Sequence, residues 1–292
     1  MSPSDNVALH HAPGDRRDVM LALKTGPLRA RRHGAEAAPL AVAVPGLSAN
    51  ALTFDALGAS LVNAGRGLSA IDLRGRGKSP AGPHGTHGWE NHARDVLAAA
   101  TALSGSPTPF DLVGHSMGAF VGLVTANFAP QRVRRLVLID AVGIPDPRAM
   151  PPIIAAVSRL GAVHESADAF LAKVAAAGVV PWSPFWEAHY REDLVEVPGG
   201  VQQRASPAAV LEDLHYGTWQ LGIRNLWPGL EAPVLLIRAA EPIGNGGFIV
   251  TTADRDAFLQ TVPGARCVEV PANHYGVMNH PDTARAVVEF LQ

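Results

Sequence analysis

Short apolar runs that alternate with helix-patterned stretches constrain this chain more than any other feature. The runs at 40–44, 110–114, 134–140, 234–238 and 266–270 are each strand-length, and helical periodicity fills 89–103, 117–128, 254–262 and the stretch after Pro281. Parallel strands need a long crossover connection, and a helix supplies one, so this alternation predicts an α/β fold: a mostly parallel sheet with helices on its faces. After the first run stops at Pro45-Gly46, Thr53 is the predicted cap of a helix with Phe54, Leu57, Leu61 and Val62 on one face, ended by Gly65. Only 17% of residues are charged, against ~25% in an average soluble chain, and 47% are hydrophobic, which excludes a disordered chain. With 292 residues the chain buries a full core without disulfide or metal staples.

Between about 145 and 230 the pattern changes. Helical stretches at 167–177 and 207–220 are broken by Pro and Gly, no strand stands out, and Trp182, Trp186, Trp219 and Trp227 cluster there. This reads as a helical insertion between two sheet strands. The balance of 24 basic and 26 acidic residues, net charge −2, provides no field for nucleic acid or acidic membranes. Arg29, Arg31 and Arg32 read as the solvated face of a strand, and the single cysteine, Cys267, as a buried inert thiol. Residues 1–6 carry neither a basic nor an apolar leader pattern, and no apolar stretch reaches the ~18 residues of a spanning helix, so a cytoplasmic protein without membrane insertion is expected.

The chemistry concentrates at Gly114-His115-Ser116-Met117-Gly118, a G-x-S-x-G sequence with a strand before it and an apolar helix after it. A sharp strand-to-helix turn lifts the central residue clear of the sheet, and side chains at the flanking glycines would collide with neighbouring elements. The helix N-terminus beneath Ser116 favours developing negative charge. Ser116 is therefore the candidate nucleophile.

These features resemble the α/β-hydrolase superfamily over nearly the whole chain, from about residue 18 to 292. Val44-Pro45-Gly46-Leu47-Ser48 is similar to the family's oxyanion loop, and Asp72-Leu73-Arg74-Gly75-Arg76-Gly77-Lys78-Ser79 to its D-x-R-G-x-G-x-S loop. The resemblance implies an α/β-hydrolase fold with core segments 1–144 and 231–292 and a helical cap at 145–230. It also implies oxyanion donors at the Leu47 and Met117 amides. Among twelve histidines, His274 alone follows a late strand in the family's place for the base. Two carboxylates compete to orient it. Asp140 closes a strand 24 residues after Ser116, a place some members use, and Glu241 follows the next strand, the commoner place. Asp140 is favoured because Glu241 stands one or two residues early for the usual register.

The expected activity is that of a serine hydrolase cleaving a small apolar carboxylic ester or lactone through an acyl-enzyme. No cofactor and no metal are needed, no nucleic-acid partner is expected, and a homodimer is compatible with the sequence. Thioester or C–C bond hydrolysis and cofactor-free perhydrolysis use the same triad, and a non-catalytic small-molecule receptor or scaffold is the reading from another class. Trp182, Trp186 and Trp219 are the candidate substrate-facing aromatics. Gly77-Lys78-Ser79 lacks the leading glycine of a phosphate loop, Asp72 standing in its place. His84, His87 and His92 read as a solvated loop, and His280 as a cap or surface residue at the mouth of the last helix.

Overall fold

The computed structural model describes residues 16–220 and 222–292, so the reading of residues 1–6 lies outside it. In chain order the strands are β1 (Arg16–Leu23), β2 (Gly26–His33), β3 (Leu40–Val44), β4 (Gly67–Ile71), β5 (Phe110–His115), β6 (Val133–Ile139), β7 (Leu194–Val197), β8 (Gly200–Gln203), β9 (Val234–Ala239) and β10 (Arg266–Val270). Eight of them form one sheet in the order β1-β2-β4-β3-β5-β6-β9-β10. The β1–β2 and β2–β4 pairs are antiparallel and the rest are parallel.

The parallel strands are apolar on both sides because helices cover both faces. Successive side chains of a strand point to opposite faces, so Val42 and Val44 pack into one core layer and Ala41 and Ala43 into the other. The second layer also takes Leu57 and Leu61 of α1 (Asp55–Asn63) and, from the C-terminal helix, Val287 and Phe290. The first takes α2 (Trp89–Ser104) and the almost wholly buried α3 (Met117–Phe128). The predicted cap at Thr53 is displaced. The Asn50 side chain accepts the Leu52 N–H at 3.0 Å and opens a short 3-10 turn, Ala51–Phe54, ahead of α1.

Between β6 and β9 the chain leaves the sheet and builds α4 (Met150–Val157), α5 (Ala167–Ala176), α6 (Pro184–Glu192) and α7 (Pro207–Thr218). It also forms the antiparallel hairpin of β7 and β8, which the sequence reading did not anticipate. Its strands are four residues each, too short to display alternation, and the turn signal is Pro198-Gly199. The chain closes with α8 (Thr252–Thr261) and α9 (Pro281–Leu291). As expected, His280 caps α9, accepting the Asp282 N–H through Nδ1.

The arginines of β2 are not solvated. Arg29, Arg31 and Arg32 are all buried, because β2 lies inside the sheet under the insertion rather than at its edge. Arg29 pairs with Asp18 at 2.7 Å and Asp72 at 3.2 Å, and Arg31 pairs with Asp55 and with Glu192 of α6. No helix among the described residues is long and apolar enough to cross a membrane.

Candidate active site

Ser116 sits at the sharp turn between β5 and α3 with φ 54° and ψ −124°. A β-carbon at Gly114 would lie 2.2 Å from the Gly118 carbonyl oxygen, and one at Gly118 would lie 2.0 Å from the Val44 carbonyl oxygen. Both contacts are impossible, so the two glycines of the motif are required by close backbone approach. The Ser116 N–H donates to the Ile139 carbonyl at 3.0 Å, which ties the turn to the end of β6.

Asp140 follows β6 and is the other non-glycine residue with positive φ, 47°, among the described residues. Strained backbone of this kind persists where the surroundings over-determine it, and here it occurs at two adjacent strand ends. The Asp140 N–H donates to the Ile237 carbonyl at 2.8 Å, and its Oδ1 accepts the Ala239 N–H at 2.9 Å. The remaining oxygen, Oδ2, lies 2.8 Å from Nδ1 of His274, whose Nε2 lies 3.0 Å from Ser116 Oγ. An Asp–His–Ser chain is thus assembled from the ends of β5 and β6 and the loop after β10.

Glu241 stays outside this chain. Its N–H is held by the Ala272 carbonyl, and its side chain lines a separate shallow cavity with Asn279 and His280. His115 is pressed against His274, the two rings stacked at 4.7 Å, with Nε2 of His115 3.1 Å from the His274 carbonyl oxygen. Burial first, and then the neighbouring His274, push its imidazole well below the ordinary histidine range. His115 therefore stacks on His274 as a neutral ring.

On the other side of Ser116, the Gly46 carbonyl accepts the Ala49 N–H at 3.2 Å. Since Gly46 C=O and Leu47 N–H belong to one trans peptide, tying the first down aims the second the opposite way. The Leu47 and Met117 amides take no part in the turn and capping bonds among the described residues. The D-x-R-G-x-G-x-S loop supports this region from below. Asp72 accepts the Ala51 N–H at 2.7 Å and the Lys78 N–H at 2.8 Å, while Ser79 Oγ donates to the Asp72 carbonyl. Burial pushes the Asp72 carboxyl up, and the Arg29 guanidinium works against that shift.

Beside Ser116 lies a cavity of about 320 Å³. Its walls include Leu47, Phe120, Ile144, Met150, Ile153 and Ile223, and among the described residues Asp213 is its one charged lining residue. The expected substrate-facing tryptophans are elsewhere. Trp182 stacks on Tyr190 at the surface, Trp186 is buried against Tyr275 and the α9 layer, and Trp219 is 72% exposed. The cavity uses Trp89 of α2 instead, stacked on Phe120 at 4.7 Å. Helical spacing carried the signal: Val210, Asp213, Leu214 and Gly217 define the inward face of α7, and Trp219 falls off it.

The histidines before and within α2 do not form a solvated loop. His84 is exposed, but His92 is fully buried with Nε2 2.9 and 3.0 Å from the Asp213 carboxylate, and His87 pairs with Glu212 at 3.2 Å. Among the described residues, no group of three or more His, Cys, Asp or Glu is placed to hold a metal ion. Burial pushes the Cys267 thiol up to about 11, the behaviour of an inert cysteine.

The Alpha/beta hydrolase family model matches residues 41–290. The chain belongs to the alpha/beta hydrolase family. Within that family it is 26% identical over 261 residues to the 2-(acetamidomethylene)succinate hydrolase of Mesorhizobium japonicum, covering 87% of this chain and 88% of that protein. It is 35% identical over 121 residues to the N-formylmaleamate deformylase of Pseudomonas putida, covering 41% of this chain. That match spans less than half of the deformylase, 44%. The crystal structure of an E-2-(acetamidomethylene)succinate hydrolase superposes with a TM-score of 0.82 at 23% identity, over 94% of this chain and 99% of that one. The fold is therefore the alpha/beta hydrolase fold, and these relatives are hydrolases.

Proposed function

We propose that this protein is a serine hydrolase that cleaves a neutral, apolar carboxylic ester or lactone through an acyl-enzyme. The observation that carries the reading is the hydrogen-bonded chain from Asp140 through His274 to Ser116 at a strained strand–helix turn. His274 Nε2 takes the proton of Ser116 as Oγ attacks the acyl carbonyl, and Asp140 holds the imidazole in the tautomer that leaves Nε2 free. The oxyanion that forms is met by the Leu47 and Met117 amides and by the N-terminus of α3. His274 returns the proton to the departing alcohol, and water then releases the acid by the same steps in reverse order.

The cavity supports the substrate class. The relatives are named for a succinate and a maleamate, both carboxylates, which call for a cationic partner. Among the described residues the lining contains no Lys or Arg, and its one carboxylate, Asp213, is already paired with Arg76. An anionic acyl group would face an uncompensated desolvation cost, whereas an alkyl or ring group gains ~0.8 kcal/mol for each CH₂ buried. The test is labelling by a fluorophosphonate probe together with turnover of a panel of p-nitrophenyl esters, lactones, thioesters and amides. Wild type should be labelled and should turn over neutral esters or lactones, and Ser116→Ala should do neither. Absence of both label and turnover in the wild type would overturn the reading in favour of a receptor or scaffold.

A further inference from the structure

Most of the D-x-R-G-x-G-x-S loop has a plain structural task, but Arg76 at its centre does not. Its neighbour Arg74 pairs with Asp95 of α2, and Asp72 and Ser79 brace β2 and the turn before α1. Arg76 is fully buried, and its guanidinium reaches three different segments. Nε donates to the Leu47 carbonyl at 2.9 Å, Nη1 to the Arg74 carbonyl at 2.8 Å, and Nη2 to Asp213 Oδ2 at 2.6 Å. Asp213 belongs to α7 of the insertion and lines the cavity. Its other bonds go to the Gly88 N–H at 2.7 Å and to His92.

A buried ion pair is weak support for stability, since apolar residues of equal volume often serve as well or better. What apolar residues cannot do is fix a carbonyl. Leu47 is the donor of the oxyanion site, and its two flanking carbonyls are both tied: that of Gly46 to Ala49, that of Leu47 to Arg76. The planar fork of arginine suits a three-way brace that a lysine ammonium would not reproduce.

We propose that Arg76 is a positioning residue of the oxyanion site: it sets the Leu47 peptide and, through Asp213, makes its placement depend on cap helix α7. The inference rests on the serine-hydrolase reading. The cavity wall and the oxyanion donor then move together, so a substrate that seats α7 correctly also completes the hole around its own carbonyl.

The test compares Arg76→Met and Arg76→Lys with wild type on one neutral ester, reading kcat and KM separately, and adds inhibition by an alkylboronic acid, which mimics the tetrahedral adduct on Ser116. Loss of one oxyanion donor lowers kcat by ~10²–10³-fold, so a donor left in place but misaimed should lower it by ~10²-fold. KM should stay within about threefold and boronate affinity should fall by a factor similar to that in kcat, the pattern of an interaction made only in the transition state. Lysine should not restore the rate. Should Arg76→Met alone not fold, the Arg76→Met/Asp213→Asn pair, which leaves neither charge unpaired, carries the same comparison. Unchanged kcat in a folded variant, full rescue by lysine, or a rise in KM as large as the fall in kcat would each overturn the inference. Wild-type turnover alongside an active Arg76→Met sinks this inference alone, while a wild type without Ser116-dependent turnover sinks the serine-hydrolase reading and this inference with it.

Discussion

The sheet and the insertion build the same cavity by opposite means. On the sheet side, Ser116 and Asp140 stand at strand ends tied to their neighbours: Ser116 N–H donates to the Ile139 carbonyl, Asp140 N–H to the Ile237 carbonyl, and Asp140 Oδ1 accepts the Ala239 N–H. On the insertion side, short helices joined by irregular segments offer aliphatic side chains such as Met150, Ile153 and Ile223, and none of those three makes a polar bond that fixes it. On the serine-hydrolase reading, strand register positions the reacting groups, while the insertion need only exclude water and match an apolar shape. Substitutions on the two sides should therefore fail differently, on the sheet side in kcat and on the cap side in substrate choice.

The largest effect is expected at the proposed base. His274→Ala should reduce kcat by ~10⁴-fold or more with a normal melting curve, because nucleophile and base act as a unit. Asp140→Asn comes next. The amide keeps the shape but favours the wrong imidazole tautomer, a change that lowers kcat by about 10⁴-fold in a well-characterised serine protease. A loss of at least ~10²-fold with little change in KM is expected here. Glu241→Gln, an exposed side chain that makes no bond to His274, should stay within about threefold of wild type, since surface changes away from such networks have small effects. The reverse ranking in steady-state kinetics would transfer the orienting role to Glu241.

The same contrast explains what could be read from the amino-acid sequence. Ser116 was legible because Gly114 and Gly118 are demanded by backbone contacts near 2 Å, a requirement that leaves a fixed spacing. His274 was legible from its place after β10. Asp140 and Glu241 both follow strands that border the histidine loop, and strand register, which spacing does not reveal, brings only Asp140 to Nδ1. In the insertion, tryptophan content drew attention to Trp182, Trp186 and Trp219, yet size says nothing of which way a helix turns. The inward face of α7 could have been recovered from the spacing of Val210, Asp213, Leu214 and Gly217. Buried charge was the hardest to foresee: Arg29, Arg31, Arg76 and His92 are polar in sequence, and only tertiary partners such as Asp72, Glu192 and Asp213 make their burial tolerable.

The cap side sharpens the comparison with a smaller effect. As the acyl chain of a p-nitrophenyl ester grows from two carbons, kcat/KM should rise by roughly fourfold per methylene, the equivalent of ~0.8 kcal/mol, until the cavity is full. Ile153→Ala should flatten that series, whereas Trp219→Ala, outside the cavity, should leave its slope unchanged. A series that falls from acetyl onward, or one that prefers a carboxylate-bearing acyl group, would mean that the apolar walls do not face the substrate.

The smallest expected effect lies where the two regions meet. Asp193, just after α6, is buried and accepts a hydrogen bond from Asn50 Nδ2 at 2.7 Å, just after the loop that carries Leu47. Burial, aided by the nearby Asp72 and opposed by Asn50, Gln203 and Arg204, pushes its carboxyl up from 3.8 to about 7. In the window between those values the folded chain holds the proton that the unfolded chain has released, so stability falls as pH rises through it. The contribution is fully present below about 4 and is lost by pH 8. Asp193→Asn keeps an oxygen for Asn50 and removes the titration. Its melting temperature should exceed that of wild type at pH 8 by a few degrees, on the scale of ~2–4 °C per kcal/mol for chains of this order of length. At pH 5 the difference should shrink, because wild-type Asp193 is then protonated in the folded state. An equal difference at both pH values would show that Asp193 does not titrate in this window and that the Asn50–Asp193 contact is insensitive to pH.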